Sequence, residues 1–310
     1  MSSERVYDLD PETLELFRSK GTYGGCGDVQ IGNANGVKLR RVMQITSDFA
    51  RASFHQLKII DFACGEGVYA IEAALRGAEV VAVDARTERM KEGARAAERL
   101  GLAKLRFEQR DVRNVNLGSH GMFDVIFFFG ILYHLDYPDV FRVLHNIYEM
   151  CQQFLIIDTH IALRGGDSMQ HNGQYYDGFR FREHADADSE EMRRSRLGGS
   201  LDNAFSFWFT KESLFRCLNN IGFSCVCECF VPLEPDKPED RITIVATKGE
   251  RVKISSYPWV NDKSEDEIRL FLNELAPPSL SRSIVSRAKQ LPKSIIKRAL
   301  QTAGLEIRRI

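Results

Sequence analysis

A glycine-rich loop between two acidic residues is the part of the sequence best suited to bind a nucleoside cofactor. The segment IIDFACGEGVYAIEAALRGAEVVAVD places Asp61 at the end of one apolar run, Gly65 and Gly67 in the loop that follows, and Asp84 at the end of the next run. Glycines let a nucleotide approach the backbone closely, and the start of the following helix leaves N–H groups facing the ligand. A carboxylate about twenty residues further on is placed to accept hydrogen bonds from ribose hydroxyls. The pattern predicts a cofactor site at this loop.

The spacing alone leaves the cofactor open, because GEGVYA also fits the G-x-G-x-x-A fingerprint of dinucleotide enzymes. Asp61 argues against a dinucleotide, since its carboxylate would repel the phosphates, whereas a sulfonium amino acid gains from it. DFACGEG resembles the first motif of class I S-adenosylmethionine-dependent methyltransferases, in which an acid precedes the loop and meets the methionine ammonium group. The resemblance implies this role for Asp61 and implies S-adenosyl-L-methionine as the cofactor.

Two later segments follow the order of motifs in the same family. QRDVRN places Asp111 after the third apolar run, where the family contacts adenine, and FDVIFFFGILYHL resembles the fourth-strand motif. The resemblance covers roughly residues 57–248. Within the family, GILYHL and SFWFTKESLFRCLNNIGF resemble tRNA wobble-uridine carboxymethyltransferases and bacterial O-methyltransferases of sugars or small molecules. The cofactor-binding residues that the resemblance implies are Asp61, Ala63, Gly65, Gly67, Asp84, Ala85, Asp111, Val112, Phe129 and Gly130.

Three residues at the ends of apolar runs are candidates for catalysis. Methyl transfer to a hydroxyl needs an aligned acceptor and a nearby base, which should lie at the carboxyl edge of the strands. His134 follows the fourth run, and Asp158 and His160 close the fifth, so we predict that these three are catalytic. Tyr133, next to His134, is a candidate for substrate contact. The alternative for this pair is that one of the two packs under the cofactor.

A long insertion at about 159–208 lacks a clear pattern and is rich in Gly, Asp, Arg and His. A connector of this length usually has a function of its own. We expect Glu183 and His184 to fold over the site as part of a lid and to contact substrate. We expect Asn203 and Trp208 to wall the acceptor pocket, although an aromatic cluster of this kind also serves as plain core.

A divalent metal is an alternative reading of the same polar residues. Asp158 and His160, together with Glu183 or His184, have the ligand types that Mg, Mn or Zn accept. Their spacing in the sequence is loose, so no metal is predicted.

Five short apolar runs separated by amphipathic helices must position these side chains. The runs LKIIDF, AEVVAVD, KLRFEQ, FDVIFFF and QFLIID have nearly continuous apolar interiors, which is typical of parallel strands covered on both faces. FSCVCECFV and RITIVATKG, joined by a short turn, predict an antiparallel hairpin. We therefore predict an α/β fold with a Rossmann-like, mostly parallel sheet and a final antiparallel hairpin. The predicted parts are a helical N-terminal cap (1–55), a methyltransferase domain (56–248) and a C-terminal extension (249–310).

Composition and charge favour a cytoplasmic enzyme. The 44% hydrophobic and 27% charged residues are ordinary for a soluble globular protein, and no run of about 20 apolar residues predicts a membrane span. The start lacks a signal-peptide pattern, and the seven cysteines lack the spacing of a disulfide scaffold. The basic amphipathic stretch 282–309 fits peripheral contact with an anionic membrane, contact with nucleic acid or a partner subunit, or docking on the body of the protein.

Three functions are compatible with these observations. The first is O-methylation of a sugar or other small biosynthetic intermediate, with N-methylation still open. The second is an RNA-modifying methyl or carboxymethyl transferase, which the net charge of −1 and the acid-rich insertion disfavour. The third is a non-catalytic scaffold that binds the cofactor. A small-molecule or glycan acceptor is the first hypothesis.

Overall fold

The strands and helices follow the apolar pattern of the sequence. The computed structural model describes residues 34–196, 198–230 and 237–250, which all belong to one compact unit. The strands of the described residues are β1 (Lys58–Phe62), β2 (Glu79–Asp84), β3 (Leu105–Gln109), β4 (Phe123–Phe129), β5 (Cys151–His160), β6 (Asp167–His171), β7 (Gln174–Arg182), β8 (Phe205–Phe209), β9 (Cys225–Glu228) and β10 (Arg241–Thr247). Their α-helices are α1 (Ala34–Phe49), α2 (Val68–Leu75), α3 (Thr87–Arg99), α4 (Leu117–His120), α5 (Asp139–Met150), α6 (Glu190–Ser195) and α7 (Lys211–Ile221). Short 3₁₀ helices span Phe54–Gln56, Val112–Asn114 and Leu132–His134.

The main sheet has seven strands in the order β3-β2-β1-β4-β5-β10-β9. The five strands from β3 to β5 are parallel, and β10 runs antiparallel to both β5 and β9. The predicted Rossmann-like, mostly parallel sheet with a final antiparallel hairpin is confirmed. Because the parallel strands share a direction, their carboxyl ends meet at one edge, which is where such sheets bind ligands.

Helices cover both faces of this sheet. Neighbouring residues of a strand point to opposite faces, so each strand contributes side chains to the core on either side. On β4, Ile126 and Phe128 enter the core that α5 and α7 cover. The alternating residues Val125 and Phe127 enter the second core, beneath α1 and α2. All four side chains are fully buried, which explains why this strand reads as a continuous apolar run.

The insertion differs from the irregular stretch expected between 159 and 208. It contains a second sheet of three antiparallel strands in the order β6-β7-β8. The sequence concealed it because most side chains of β7 are exposed, so no apolar run marks the strand. A hairpin signal was nevertheless present: Asn172 and Gly173, with φ of 48° and 75°, form a two-residue loop between the paired residues His171 and Gln174.

The termini that were predicted to flank the domain fall mostly outside the described residues. Residues 1–33 of the cap and 251–310 of the extension, including the basic stretch 282–309, are not described. The domain bounds and the peripheral membrane contact therefore stay predictions. Within the described parts of the chain, every helix is too short or too polar to cross a membrane.

Candidate active site

The loop after β1 has a backbone shape that only small residues tolerate. Gly65 and Gly67 have φ of 56° and 77°, and Ala63 has φ of 54°. A Cβ on Gly67 would lie 2.6 Å from the ring of Phe107, so a side chain cannot be placed there without displacing that ring. Positive φ costs an alanine roughly 1–2 kcal/mol, which the surrounding contacts must offset. The sequence therefore holds this backbone in a conformation that leaves room for a ligand.

A cavity of about 360 Å³ opens beside this loop at the carboxyl edge of the parallel strands. Its volume is within the usual range for a small-molecule site. The residues of segment 198–203 also contribute to its wall. Most of the predicted cofactor residues line it: Ala63, Gly65, Asp84, Ala85, Asp111, Val112, Phe129 and Gly130. Gly67 instead begins α2, and Asp61 lies in β1 before the loop.

Two buried carboxylates, Asp61 and Asp84, lie at this loop, and Asp61 is the one that argues against a dinucleotide. Asp84 is held by its neighbours, because its carboxylate accepts hydrogen bonds from the N–H groups of Gly65 (3.1 Å) and Arg86 (2.8 Å). Asp61 is 1% exposed, and its Oδ2 has no hydrogen-bond partner among the described residues. Burial and, after it, the negative charge of Asp84 raise the pKa of Asp61 well above its ordinary value.

An unpartnered buried carboxylate oxygen is stabilised by a cation. The ammonium group of S-adenosylmethionine is a cation of this kind, whereas a pyrophosphate would be repelled. The two carboxylates and the open loop therefore fit the predicted cofactor.

Two arginines attach segment 198–203 to the rim of the cavity. Arg113 bridges the carboxylates of Asp111 and Asp202 at 2.6 and 2.7 Å, and these two hydrogen-bonded carboxylates raise its pKa. Asp111, expected at the adenine, thus also anchors this segment. The guanidinium of Arg86 donates to backbone carbonyls of Arg194, Arg196, Gly199 and Ser200. Neither arginine was predicted, because their partners lie about a hundred residues further along the chain.

His134 forms a hydrogen-bonded pair with Glu183 at the cavity wall. His134 ends the 3₁₀ helix after β4, and its Nδ1 lies 2.9 Å from Oε1 of Glu183. A carboxylate only accepts, so Nδ1 carries the proton and Nε2 is the nitrogen able to take another one. Glu183 was expected to contact substrate. The structure places it instead behind His134, with its side chain 4% exposed.

Further hydrogen bonds hold this pair in place. Burial alone would raise the pKa of Glu183, but the hydrogen bonds from His134, the Ser206 hydroxyl and the Ser200 N–H outweigh it and lower that pKa. Glu183 is therefore ionised at neutral pH. Trp208 Nε1 donates to Ser206 Oγ at 3.2 Å, and Asn203 donates to the carbonyl of His134 at 3.0 Å. Ser206 was missed by the sequence analysis, although its place in the alternating run FSFWF marks it as an inward-facing polar residue.

Asp158 is fully buried in an ion-pair network with β10 and α1. Its Oδ1 accepts from Arg241 Nε at 2.6 Å and from Lys38 at 3.3 Å, and its Oδ2 accepts from Thr243 at 2.9 Å. Burial opposes ionisation, but Lys38 and Arg241 outweigh it and lower the pKa of Asp158. Both oxygens are occupied, so this geometry favours a positioning role over the catalytic role predicted for Asp158.

His160 has a charged neighbour at each ring nitrogen, and its Nδ1 lacks a well-formed hydrogen bond among the described residues. Its Nδ1 lies 3.0 Å from Asp240, and its Nε2 lies 3.2 Å from Arg241, which can only donate. Burial, followed by the charge of Arg241, lowers the pKa of His160. Its ring packs edge-on against Tyr133, at 4.7 Å, and is stacked on Trp208, at 5.4 Å. These contacts favour a structural role, whereas the catalytic role remains a prediction.

The other predicted substrate residues divide between the cavity and its support. Tyr133 and Asn203 line the cavity. His184 is 2% exposed and donates from Nε2 to the carbonyl of Ser200 at 3.1 Å, so it supports the wall rather than forming it. Across the described ranges, no group of three or more His, Cys, Asp and Glu side chains is arranged to hold a metal ion.

Comparisons with known proteins find a methyltransferase domain and similar folds. Residues 59–153 match the family model of a methyltransferase domain. The N-terminal domain of EvdMO1, solved with SAH and D-fucose, is 19% identical with a TM-score of 0.54, over 69% of this chain and 83% of that chain. The same domain with SAH bound is 19% identical with a TM-score of 0.53, over 69% of this chain and 81% of that chain. The magnesium protoporphyrin IX methyltransferase ChlM from Synechocystis PCC 6803, solved with bound SAM, is 15% identical with a TM-score of 0.48. The match covers 78% of this chain and 98% of that chain. No curated protein sequence matches the chain.

Residues 59–153 carry a methyltransferase domain, which lies within the mostly parallel sheet that the sequence predicted. Residues 59–153, from β1 into β5, are the segment that matches the family, and the residues after them complete the sheet and the wall of the cavity. The class predicted from the sequence is confirmed.

Proposed function

We propose that this protein transfers a methyl group from S-adenosylmethionine to a hydroxyl oxygen of a sugar or other small biosynthetic intermediate. The observation that carries the proposal is the His134–Glu183 pair in the wall of the cofactor cavity. A histidine whose second nitrogen is bound by a carboxylate is suited to act as a general base. The similar fold of the EvdMO1 domain, solved with D-fucose as well as SAH, supports a sugar as the acceptor.

The residues of the cavity divide into those that hold the cofactor and those that act on the acceptor. S-adenosylmethionine, when bound, supplies the methyl group: the acceptor oxygen bonds to the methyl carbon and the carbon–sulfur bond breaks, leaving its electron pair on sulfur. Asp61 holds the ammonium group, and Asp84 accepts hydrogen bonds from the ribose. Arg86 and Arg113 hold segment 198–203 against the cavity and so exclude water from it.

His134 removes the proton that the acceptor hydroxyl loses. Nε2 takes this proton, and the imidazolium that results is stabilised by Glu183 through the 2.9 Å hydrogen bond. Glu183 also fixes the tautomer, because Nδ1 must remain the donor. Asn203 holds the backbone of His134, and Ser206 holds Glu183, so both act as positioning residues.

Methyl transfer to D-fucose by the full chain tests the proposal. We expect methylated sugar by mass spectrometry with S-adenosylmethionine, and a loss of about 10²- to 10⁴-fold in kcat for His134→Ala. Binding of S-adenosylhomocysteine to that variant, measured by calorimetry, should stay within about twofold. The matched control is His145→Ala, a surface histidine of α5 with a 60% exposed side chain.

The outcomes separate the parts of the proposal. Full activity of His134→Ala would refute this residue as the base. Binding of S-adenosylhomocysteine without methylation of any sugar or small hydroxyl compound would refute the acceptor class and leave the cofactor site intact.

A further inference from the structure

Segment 198–203 lies between the cofactor cavity and the catalytic pair. Gly198, Gly199, Leu201 and Asn203 contribute to the wall of the cavity. Between residues that the structure describes, the segment makes no backbone–backbone hydrogen bond. Segments of this kind open locally at a low cost in free energy, so the position of this one depends on contacts with side chains of other elements.

Arg86 attaches the segment to the cofactor side of the cavity. Its Nη2 donates to the carbonyls of Gly199 at 3.2 Å and Ser200 at 3.0 Å. Its backbone N–H donates at 2.8 Å to Asp84, the carboxylate proposed to bind the ribose. One residue therefore bonds both to a cofactor carboxylate and to the segment.

Arg113 makes a second link of the same kind. Its guanidinium bonds to Asp111 at 2.6 Å and to Asp202 at 2.7 Å. Asp202 also pairs with Arg194 at 3.2 Å, and it lies outside the lining of the cavity. The contacts of Asp202 therefore hold the segment without belonging to the ligand-binding surface.

The other side of the segment holds the catalytic pair. The N–H of Ser200 donates to Oε2 of Glu183 at 3.1 Å, and Asn203 donates to the carbonyl of His134 at 3.0 Å. Ser200 thus bonds to Glu183 through its N–H and to Arg86 through its carbonyl. Displacing the segment would remove a hydrogen bond from each member of the pair.

We infer that segment 198–203 couples the two halves of the site: cofactor binding seats the segment, the seated segment completes the His134–Glu183 pair, and the acceptor binds second. A ligand that contacts the wall of the cavity binds the seated segment better than a displaced one, and it shifts the segment by that difference in affinity. The inference rests on the proposed function above, because the pair acts on the acceptor. Arg86 and Asp202 are then positioning residues, which act on His134 through the segment.

Amide hydrogen exchange tests the response of the segment to the cofactor. The full chain is measured by mass spectrometry with and without saturating S-adenosylhomocysteine, on peptides that cover residues 198–203. We expect the ligand to slow exchange there by at least about fivefold, the lower end of the usual range for coupled sites. Arg86→Ala and Asp202→Ala should both exchange faster without ligand and lose most of this protection. Ligand that binds by calorimetry but leaves the exchange unchanged would overturn the inference.

Calorimetry tests whether the coupling reaches the acceptor. The Kd of S-adenosylhomocysteine is measured with and without saturating D-fucose, because linkage requires each ligand to raise the affinity of the other by the same factor. D-fucose should lower the wild-type Kd by at least about fivefold, and the ratio of the two Kd values should be close to one in Asp202→Ala. Arg86→Lys, which keeps a charged donor, should recover part of the ratio that Arg86→Ala loses. An arginine with a merely structural role would change stability without changing this ratio.

The matched control is Arg95→Ala, which removes an arginine of α3 that pairs with Glu92 and has a 69% exposed side chain. It should leave both the exchange and the ratio unchanged. Equal Kd values in a wild-type enzyme that methylates D-fucose would overturn the coupling, and the proposed function would stand. Protection of the segment without methylation of any acceptor would uphold its response to the cofactor and overturn the proposed reaction.

Discussion

Replacing Asp61 by asparagine should stabilise the ligand-free protein and weaken cofactor binding at the same time. The carboxylate is 1% exposed, and its Oδ2 lacks a partner among the described residues. Burial and the charge of Asp84 raise its folded-state pKa. A raised carboxyl pKa contributes stability below the unfolded pKa of about 3.9, and this contribution is lost as the pH rises through the folded pKa. At neutral pH the carboxyl group therefore costs stability that asparagine does not, because the unfolded state ionises it freely.

The two effects have different sizes. Removing one partner of a buried charged pair costs about 2–5 kcal/mol, so the Kd for S-adenosylhomocysteine should rise roughly 30-fold or more. Asparagine still buries a polar group, so the gain in stability is smaller. Relief of one unsatisfied buried charge is worth on the order of 1–3 kcal/mol, which corresponds to an increase of a few degrees in Tm.

Calorimetry measures both quantities, with Asp84→Asn as the comparison. Asp84 already accepts hydrogen bonds from Gly65 and Arg86, so its replacement should lower Tm as well as weaken binding. A lower Tm for ligand-free Asp61→Asn at pH 7 would refute the argument that Asp61 is an unpartnered charge. Unchanged affinity for S-adenosylhomocysteine would refute its contact with the ammonium group.

Three further predictions concern the network around the cavity. Asp158→Asn should destabilise the fold by about 3–5 kcal/mol in urea unfolding, because Lys38 and Arg241 would lose their buried partner. The pKa of Asp158 is lowered in the folded state, so the stability that this carboxylate contributes is present above about pH 3.9. This stability is lost as the pH falls through the folded pKa. The Asp158→Asn variant should lack this acid dependence. Glu183→Gln should lower kcat by at least about tenfold at unchanged affinity for S-adenosylhomocysteine, and an unaltered kcat would count against the pair. Arg113→Ala should release Asp202 and speed S-adenosylhomocysteine dissociation by about tenfold in stopped-flow measurements, whereas an unchanged rate would mean that this arginine does not hold the wall.

The parallel strands could be predicted because their burial requires runs of apolar residues that are visible in the sequence. Each of β1, β2 and β4 is covered on both faces, so nearly every position is apolar. Strand β7 has no such apolar run. Its residues Tyr175, Phe179 and Phe181 are exposed, so the aromatic positions do not alternate with solvent-facing polar ones. Only the Asn172–Gly173 turn indicated a hairpin in this region.

The cofactor residues could be predicted for a different reason, which is that they are local. Asp61 lies near the end of β1, and Ala63, Gly65 and Gly67 follow it within a few residues. Contacts that join distant segments left no comparable signal: Arg113 and Asp202 are 89 residues apart, and His134 and Glu183 are 49 apart. Glu183 was identified as a site residue, but its role depended on a sheet that the sequence did not reveal.

The choice between His134 and His160 shows what the sequence could not decide. Both follow a parallel strand, and both lie at the ligand-binding edge. Their surroundings separate them: a proton on His134 meets the carboxylate of Glu183 at 2.9 Å, whereas a proton on Nε2 of His160 meets the guanidinium of Arg241 at 3.2 Å. A base must be stable in its protonated form, and at His160 burial and the charge of Arg241 outweigh the carboxylate of Asp240 and lower the pKa.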